Sequence, residues 1–137
     1  DALREAGQEY GAATRRPRRV AWIDLVATRY GAKLQAATEI VLTKLDVLSY
    51  LKEIPVCIAY RKANGEVTHN FPYTSELDGC EPVYDFLPGW GCDISGARTY
   101  EELPEAARLY VERIEREIRC HISYVSVGAQ RDALIRR

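Results

Sequence analysis

The sequence lacks several features that define particular classes of protein. Its 137 residues contain no methionine and only two tryptophans and two phenylalanines. No run approaches the ~18 consecutive apolar residues that span a membrane, and the first residues carry no apolar signal segment. We therefore expect a cytoplasmic protein without a membrane partner, organised as a single segment over residues 1–137. The absence of methionine predicts a fragment, with an amino-terminal part of a longer protein missing.

The chain also lacks an excess of charge of either sign. Its 19 basic and 20 acidic residues give a formal net charge of −1. A disordered polyelectrolyte, or a surface basic enough throughout to bind nucleic acid, would need a strong imbalance. We expect no nucleic-acid partner.

Signals for a metal site or a disulfide framework are missing. The four cysteines, Cys57, Cys80, Cys92 and Cys120, lie far apart and form no Cys-x-x-Cys pair. His121 follows Cys120 directly, which suits two ligands of one metal poorly. The sequence therefore predicts reduced, mostly buried thiols and no metal ligand.

Catalytic signals are absent as well. The chain has no Gly-x-x-x-x-Gly-Lys-Ser/Thr phosphate loop, and its only histidines, His69 and His121, accompany no recognisable nucleophile. We interpret both histidines as structural and predict no catalytic residue in this segment.

The apolar residues that are present indicate an α/β fold, with a mixed or parallel sheet flanked by helices and one β-hairpin. Helical spacing predicts helices over residues 2–9, closed by Gly11, over 22–34, and over 103–118 behind a capping box at residues 99–102. Apolar runs predict buried strands over 39–43, 55–60 and 121–127, and Asn64-Gly65 predicts a hairpin into residues 66–71. Residues 72–98 are expected to be irregular, and the chain is expected to end in a basic tail.

The sharpest candidate site is Lys44-Leu45-Asp46, which follows the predicted strand 39–43. Ligands of open α/β sheets bind beyond the carboxyl ends of strands. An aspartate there can accept hydrogen bonds from guanine N1–H and its exocyclic amine, a donor pair that adenine lacks. The lysine stem can lie along the base. The alternative interpretation is a solvated loop.

A second candidate is the loop over residues 12–19, which has four arginines in five positions around Pro17. Guanidinium groups bind carboxylates and phosphates bidentately, and proline stiffens the loop, so the pattern predicts an anion site. A solvated surface loop is the alternative. A nucleic-acid patch is disfavoured because no aromatic residue is interleaved.

A third candidate is Ser126-Val127-Gly128, which ends the last predicted strand. Such a turn can present backbone groups to a purine. Simple termination of the strand is the alternative.

Taken together in order, these residues resemble the carboxyl-terminal part of the adenylosuccinate synthetase family. The segments that carry the resemblance span nearly the whole chain: Tyr10-Gly11-Ala12, Arg16-Pro17-Arg18-Arg19, Trp22 to Val26, Leu42 to Leu48, Leu87-Pro88-Gly89-Trp90, Tyr110 to Glu115, and Ser126-Val127-Gly128 with Arg131-Asp132. The resemblance implies the carboxyl-terminal portion of a P-loop-NTPase-like sheet.

The resemblance also implies a function. The family uses GTP with Mg²⁺ to join L-aspartate to IMP, giving adenylosuccinate in purine biosynthesis, and it forms homodimers. The phosphate loop, the catalytic residues and the magnesium ligand lie in the family's earlier part, so this chain alone is expected to be inactive.

Site residues follow from the resemblance position by position. The loop that closes over substrate aspartate corresponds to Ala12, Ala13, Thr14, Arg15, Arg16, Pro17 and Arg18. Within it, Arg16 is expected to contact IMP and Arg18 to contact GTP. Guanine recognition is expected from Lys44, Leu45 and Asp46 on one wall and from Ser126, Val127 and Gly128 on the other.

The chain departs from the family in the arginine loop. Ala13 replaces a threonine, and Arg15 replaces a glycine. If the glycine position needs a positive φ, an arginine there costs about 1 kcal/mol. These departures keep open a second hypothesis, a non-catalytic guanine-nucleotide-binding or interaction module derived from the family. A signalling GTPase is disfavoured because the phosphate loop is absent.

Overall fold

Four helices and six strands are arranged as two small sheets with helices packed against them. The computed structural model describes residues 1–137. The helices are α1 (Ala2–Gly7), α2 (Leu25–Leu34), α3 (Thr74–Leu77) and α4 (Glu105–Ile118). The strands are β1 (Glu39–Leu42), β2 (Glu53–Arg61), β3 (Val67–Thr68), β4 (Glu81–Pro88), β5 (His121–Ser126) and β6 (Leu134–Arg136). Two 3-10 turns cover Leu45–Leu48 and Arg131–Ala133.

The first sheet has the order β1-β5-β6. β1 runs parallel to β5, and β6 runs antiparallel to β5, so the predicted mixed sheet is confirmed. The expectation that residues 39–43 form a buried strand is wrong in its burial, because β1 is an edge strand in which Val41 is 48% exposed. The expectation of a basic tail is wrong for residues 134–136, which form β6. Ile135 is 1% exposed between two exposed neighbours, and this alternation places β6 on the core.

The second sheet has the order β3-β2-β4 and is antiparallel throughout. The predicted Asn64-Gly65 hairpin is confirmed, with Gly65 at φ +85 and the Asn64 side chain accepting from the Glu66 amide at 3.0 Å. The expectation of an irregular segment over 72–98 is wrong for residues 74–77, which form α3, and for residues 81–88, because β4 pairs with β2 along its whole length. β4 is an edge strand with Pro82 and Pro88 near its two ends, where the lost amide donors are tolerated.

Helix α4 supplies the centre of the core. The predicted apolar face is buried, with Ala107, Val111 and Ile114 each at most 1% exposed. The predicted capping box does not cap this helix, which begins at Glu105. Glu102 instead accepts from the amides of Arg98 and Thr99 in the preceding loop. At 14 residues α4 is the longest helix, and none of the helices is both long and apolar enough for a membrane span.

The other two predicted helices are shorter than expected. α1 ends at Gly7, with Gln8 rather than Gly11 in the left-handed C-cap. α2 begins at Leu25 behind Asp24, whose carboxylate accepts from the Ala27 amide at 2.9 Å. Its predicted stripe is partly wrong, since Leu34 is 67% exposed.

All four thiols are free. Cys57 and Cys120 are buried, whereas Cys80 is half-buried and Cys92 is exposed, so the expectation of mostly buried thiols holds for two of them. Burial, assisted by nearby Asp24, raises the pKa of Cys57 to about 11, which leaves it an unreactive thiol at neutral pH.

Candidate functional site

The carboxyl ends of β1 and β5 meet at one edge of the first sheet, because the two strands are parallel. Lys44 follows β1 and Ser126 is the last residue of β5. The Lys44 amide donates to the Ser126 hydroxyl at 2.9 Å, which joins the two segments predicted to form the guanine pocket. Lys44 has φ 62, a left-handed conformation that turns the chain sharply into the following 3-10 turn.

Asp46 lies in the 3-10 turn that follows Lys44. The turn is anchored by Leu45, which is 1% exposed. Asp46 Oδ1 is buried and has no hydrogen-bond partner. Its side chain lines a cavity of about 390 Å³. The remaining lining residues come from α1, the 3-10 turn, the residues directly after that turn and the loop after β4: Ala6, Val47, Ser49, Tyr50, Gly91, Cys92 and Asp93.

The arginine loop is closed at its base by backbone hydrogen bonds. Tyr10 and Pro17 form an antiparallel bridge, and the Gly11 amide donates to the Arg16 carbonyl at 2.9 Å. A Cβ on Gly11 would lie 2.7 Å from the Thr14 hydroxyl, so a side chain there would disturb the turn. The loop therefore has a defined shape, as the proline predicts.

The side chains of the loop face solvent. All residues from Ala12 to Arg19 are exposed, and Arg15, Arg16 and Arg19 form no ion pair. Arg15 has φ 55, so the position does require the left-handed conformation. The loop thus presents uncompensated guanidinium groups, which suits anions.

Glu9, which sequence reasoning missed, connects the loop to the sheet edge. One carboxylate oxygen is hydrogen-bonded to Lys44 Nζ, and the other accepts from an Arg18 guanidinium nitrogen at 3.0 Å. The hydrogen bond from Lys44, followed by that from Arg18, holds the pKa of Glu9 below its ordinary value. An acidic residue shortly before an arginine cluster is too common a pattern to have singled it out.

The structure brings some predicted residues together and separates others. A cavity of about 400 Å³ is lined by Glu9, Arg19 and Lys44. Asp46 lines a neighbouring cavity, and Val47 lines both of them. Val127 is fully buried and its amide donates to the Ala133 carbonyl, so its side chain and amide are already committed to the fold. The individual ligand contacts predicted for residues 12–18, 44–46 and 126–128 stay predictions.

A further cavity lies away from the sheet edge at the ends of β1 and β5. This cavity of about 580 Å³ lies along α2 beside the end of α4 and contains none of the predicted site residues. No group of three or more His, Cys, Asp or Glu side chains that could hold a metal ion is found in residues 1–137.

The fold and the edge together define an α/β domain with a Lys-x-Asp turn beyond a parallel strand and an arginine loop beside it. The family model for adenylosuccinate synthetase matches residues 1–135. The chain belongs to the adenylosuccinate synthetase family, which confirms the resemblance read from the sequence.

Individual relatives support this family membership. Chloroplastic adenylosuccinate synthetase from Zea mays is 49% identical over 98% of this chain, and the enzyme from Pelobacter propionicus is 48% identical over 98%. A solved structure described as fully ligated adenylosuccinate synthetase from Plasmodium falciparum matches 99% of the chain with a TM-score of 0.93 and 38% identity. The chain spans 28% and 31% of the two relatives and 33% of the solved chain.

Proposed function

We propose that this chain is the guanine-recognition and aspartate-binding segment of an adenylosuccinate synthetase, a GTP-dependent ligase of purine biosynthesis. The proposed reaction has two steps. The γ-phosphoryl group of GTP moves to the 6-oxygen of IMP, leaving GDP. The amine of L-aspartate then attacks carbon 6, and inorganic phosphate leaves with that oxygen to give adenylosuccinate.

The observation that carries the proposal is the buried, unpaired Oδ1 of Asp46. A buried acceptor without a donor destabilises a protein by roughly 1–3 kcal/mol, so such an atom is expected to gain its partner from a ligand. Guanine offers N1–H and an exocyclic amine on one edge, which match the two oxygens of one carboxylate. The Lys44 amide fixed on Ser126 supports a base-binding wall beside it.

The arginine loop supplies the anion side of the proposed site. Arg18 is proposed to hold the aspartate carboxylate near GTP, and Arg16 to reach both aspartate and the IMP ribose region. Both guanidinium groups are exposed, and Arg16 has no competing carboxylate. Ala12 to Thr14 are proposed to close over the substrate as the loop folds down.

The magnesium that the family implies is not assigned to this chain. Residues 1–137 contain no carboxylate or imidazole cluster that fits a metal ion, so no step of the mechanism is placed on a metal here. The homodimer and the cytoplasmic location stay predictions, which sedimentation and cell fractionation would test. Relatives of this chain include chloroplastic forms.

A second candidate function is a guanine-nucleotide-binding module that no longer ligates aspartate. Arg15 favours it, because a long side chain occupies a left-handed position in the loop proposed to close over aspartate. Both candidates require guanine binding, but only the ligase forms adenylosuccinate. Assay of that product in the full protein separates them.

Substitution of Asp46 by Asn tests the shared part of the proposal. The change replaces one acceptor oxygen by a donor, so we expect GTP affinity to fall about 100-fold, as for the loss of one hydrogen bond to a charged group. The asparagine amide can instead donate to the 2-oxygen of xanthine and accept from its N1–H. Affinity for xanthosine triphosphate should therefore rise, which a misfolded variant could not show.

The matched control is Asp93→Asn, because Asp93 lines the same cavity but its carboxylate already accepts from the Ser95 amide at 2.9 Å. This variant should bind GTP like the unaltered protein. Unchanged GTP binding in Asp46→Asn, measured by calorimetry, would remove Asp46 from the site.

A further inference from the structure

Glu9 contacts both halves of the proposed site from a position that the backbone fixes. The Glu9 amide donates to the Arg4 carbonyl at 2.9 Å, and the Gln8 amide donates to the Glu5 carbonyl at 3.1 Å. These are the two hydrogen bonds of a Schellman motif, with Gln8 at φ 50. The end of α1 therefore sets where the Glu9 carboxylate lies.

The two carboxylate oxygens serve different partners. Oε2 accepts from Arg18 at 3.0 Å, and the Glu9 carbonyl also accepts from the Arg18 amide at 2.9 Å. Oε1 accepts from Lys44 Nζ, which donates a further hydrogen bond to the Gly7 carbonyl at 2.9 Å. One acidic side chain thus holds Arg18 of the arginine loop and Lys44 of the segment Lys44-Leu45-Asp46, which we call the guanine motif.

These contacts leave donors free on both cations. The Arg18 and Lys44 side chains are 56% and 51% exposed, whereas the Glu9 side chain is only 21% exposed. A guanidinium group carries five N–H donors, and Glu9 binds only one nitrogen of Arg18, so most of the Arg18 donors remain available to a ligand. Glu9 orients the two cations without covering them.

We propose that Glu9 is a positioning residue that couples the arginine loop to the guanine motif, so that Arg18 and Lys44 are set for their ligands together. The coupling follows because a shared carboxylate fixes two long side chains relative to each other, and their flexibility would otherwise oppose binding. The identity of the ligands, GTP and L-aspartate, rests on the proposed function.

The test compares Glu9→Gln with Glu5→Gln in the full protein. Glu5 lies on the same helix and binds the Tyr10 hydroxyl, but it touches neither Arg18 nor Lys44. For Glu9→Gln we expect the KM of GTP and that of L-aspartate to rise together by about tenfold, in the usual range of coupling between sites. The kcat should change by less than about twofold, because Glu9 contacts no reacting atom.

A second measurement does not depend on GTP binding. Trypsin cleaves after arginine, so the cleavage rate within residues 15–19 without ligand reports whether Arg18 is held in place. Glu9→Gln should be cleaved about fivefold faster or more, because the loop opens more often. Glu5→Gln should be cleaved like the unaltered protein. If the unaltered protein binds no GTP, the proposed function fails while this measurement still decides the role of Glu9.

Several results would overturn the inference. An unchanged cleavage rate would show that Glu9 does not hold the loop, and faster cleavage with both KM values unchanged would show that the loop and the guanine motif are not coupled. Glu9→Asp keeps the charge but is one methylene shorter and cannot reach both cations, so it should resemble Glu9→Gln. It also decides the matter if Glu9→Gln does not fold, and complete rescue by aspartate would contradict a bridging role.

Discussion

Arg15 combines a long charged side chain with a backbone conformation that suits glycine. Its φ of 55 places Cβ close to the following carbonyl, at a cost of about 1 kcal/mol or more for an L-residue. The Arg15 amide donates to the Gly11 carbonyl at 2.9 Å, which holds the strained residue in the turn. The loop therefore stores strain at the place where aspartate is proposed to bind.

We predict that Arg15→Gly stabilises the protein relative to Arg15→Ala by about 1 kcal/mol. Both changes remove the guanidinium group, but only glycine relieves the left-handed strain. The free energy of unfolding in urea, measured for both variants, provides the comparison. Equal stabilities would show that the strain is absent in solution. In the ligase assay, a lower KM for L-aspartate in Arg15→Gly alone would connect the strain to binding.

Single residues also mark the limit of what the sequence could predict. The positive φ of Arg15 is suggested only through the glycine of the family, since an arginine by itself predicts nothing of the kind. Asp46 could be predicted as a candidate because Lys44-Leu45-Asp46 follows a predicted strand and because the neighbouring segments resemble the family; the spacing by itself is common after strands. Glu9 could not, because its role depends on contacts with residues 9 and 35 positions away.

The secondary-structure elements that have a strong apolar pattern in their sequence could be predicted. Those that form only because they pair with another strand could not. The buried face of α4 and the strands β1 and β5 follow directly from apolar spacing. The prolines of β4 argue against a strand in the sequence, because proline lacks the amide donor that a sheet uses. They are acceptable here because β4 is an edge strand. β6 has three residues, too few for a pattern, and exists because β5 offers a free side.

Glu115 joins α4 to β5 and to Arg137, the residue that follows β6. Its Oε2 atom accepts from the Ile122 amide at 2.7 Å, is 3.1 Å from His121 Nδ1, and is hydrogen-bonded to Arg137. Burial alone would raise the pKa of Glu115, but the hydrogen bonds from Ile122 and Arg137 outweigh it and lower the pKa below its ordinary value. The ionised carboxylate therefore stabilises the contact of α4 with β5 and the segment after β6.

Since the pKa of Glu115 is lower in the folded state, its contribution is present above about pH 4.5 and is lost as the pH falls through the folded value. We predict that Glu115→Gln lowers the free energy of unfolding by about 1–2 kcal/mol at pH 7 and by less at pH 3. Glu112→Gln, on the exposed face of the same helix, should change little at either pH. The free energy of unfolding in urea is measured for both variants and for the unaltered protein at pH 7 and at pH 3. If Glu115→Gln lowers the free energy of unfolding as much at pH 3 as at pH 7, the electrostatic argument is contradicted.

On the scale of the whole molecule, stability and the proposed function lie in different places. The largest buried cluster includes residues of α4, β5 and β6, and the second sheet contributes Ile54 and Val56 of β2 to it. The site lies at the margin of this body. Gly7 is the only buried residue of α1, which packs against the 3-10 turn Leu45–Leu48. A helix of six residues has little stability of its own, so polar contacts to Lys44 and Arg18 hold this region.

Hydrogen–deuterium exchange should therefore divide the molecule into a slow and a fast part. Without ligand, α1 and residues 10–19 should exchange much faster than α4 and β5, because opening them exposes little apolar surface. GTP should slow exchange in α1, in the arginine loop and in the turn after β1, since a ligand stabilises what it contacts. The hairpin around Gly65 lies in the other sheet and serves as the internal control. Equal protection of this hairpin by GTP would mean that binding tightens the whole fold rather than the sheet edge, and the placement of the site at the ends of β1 and β5 would then be wrong.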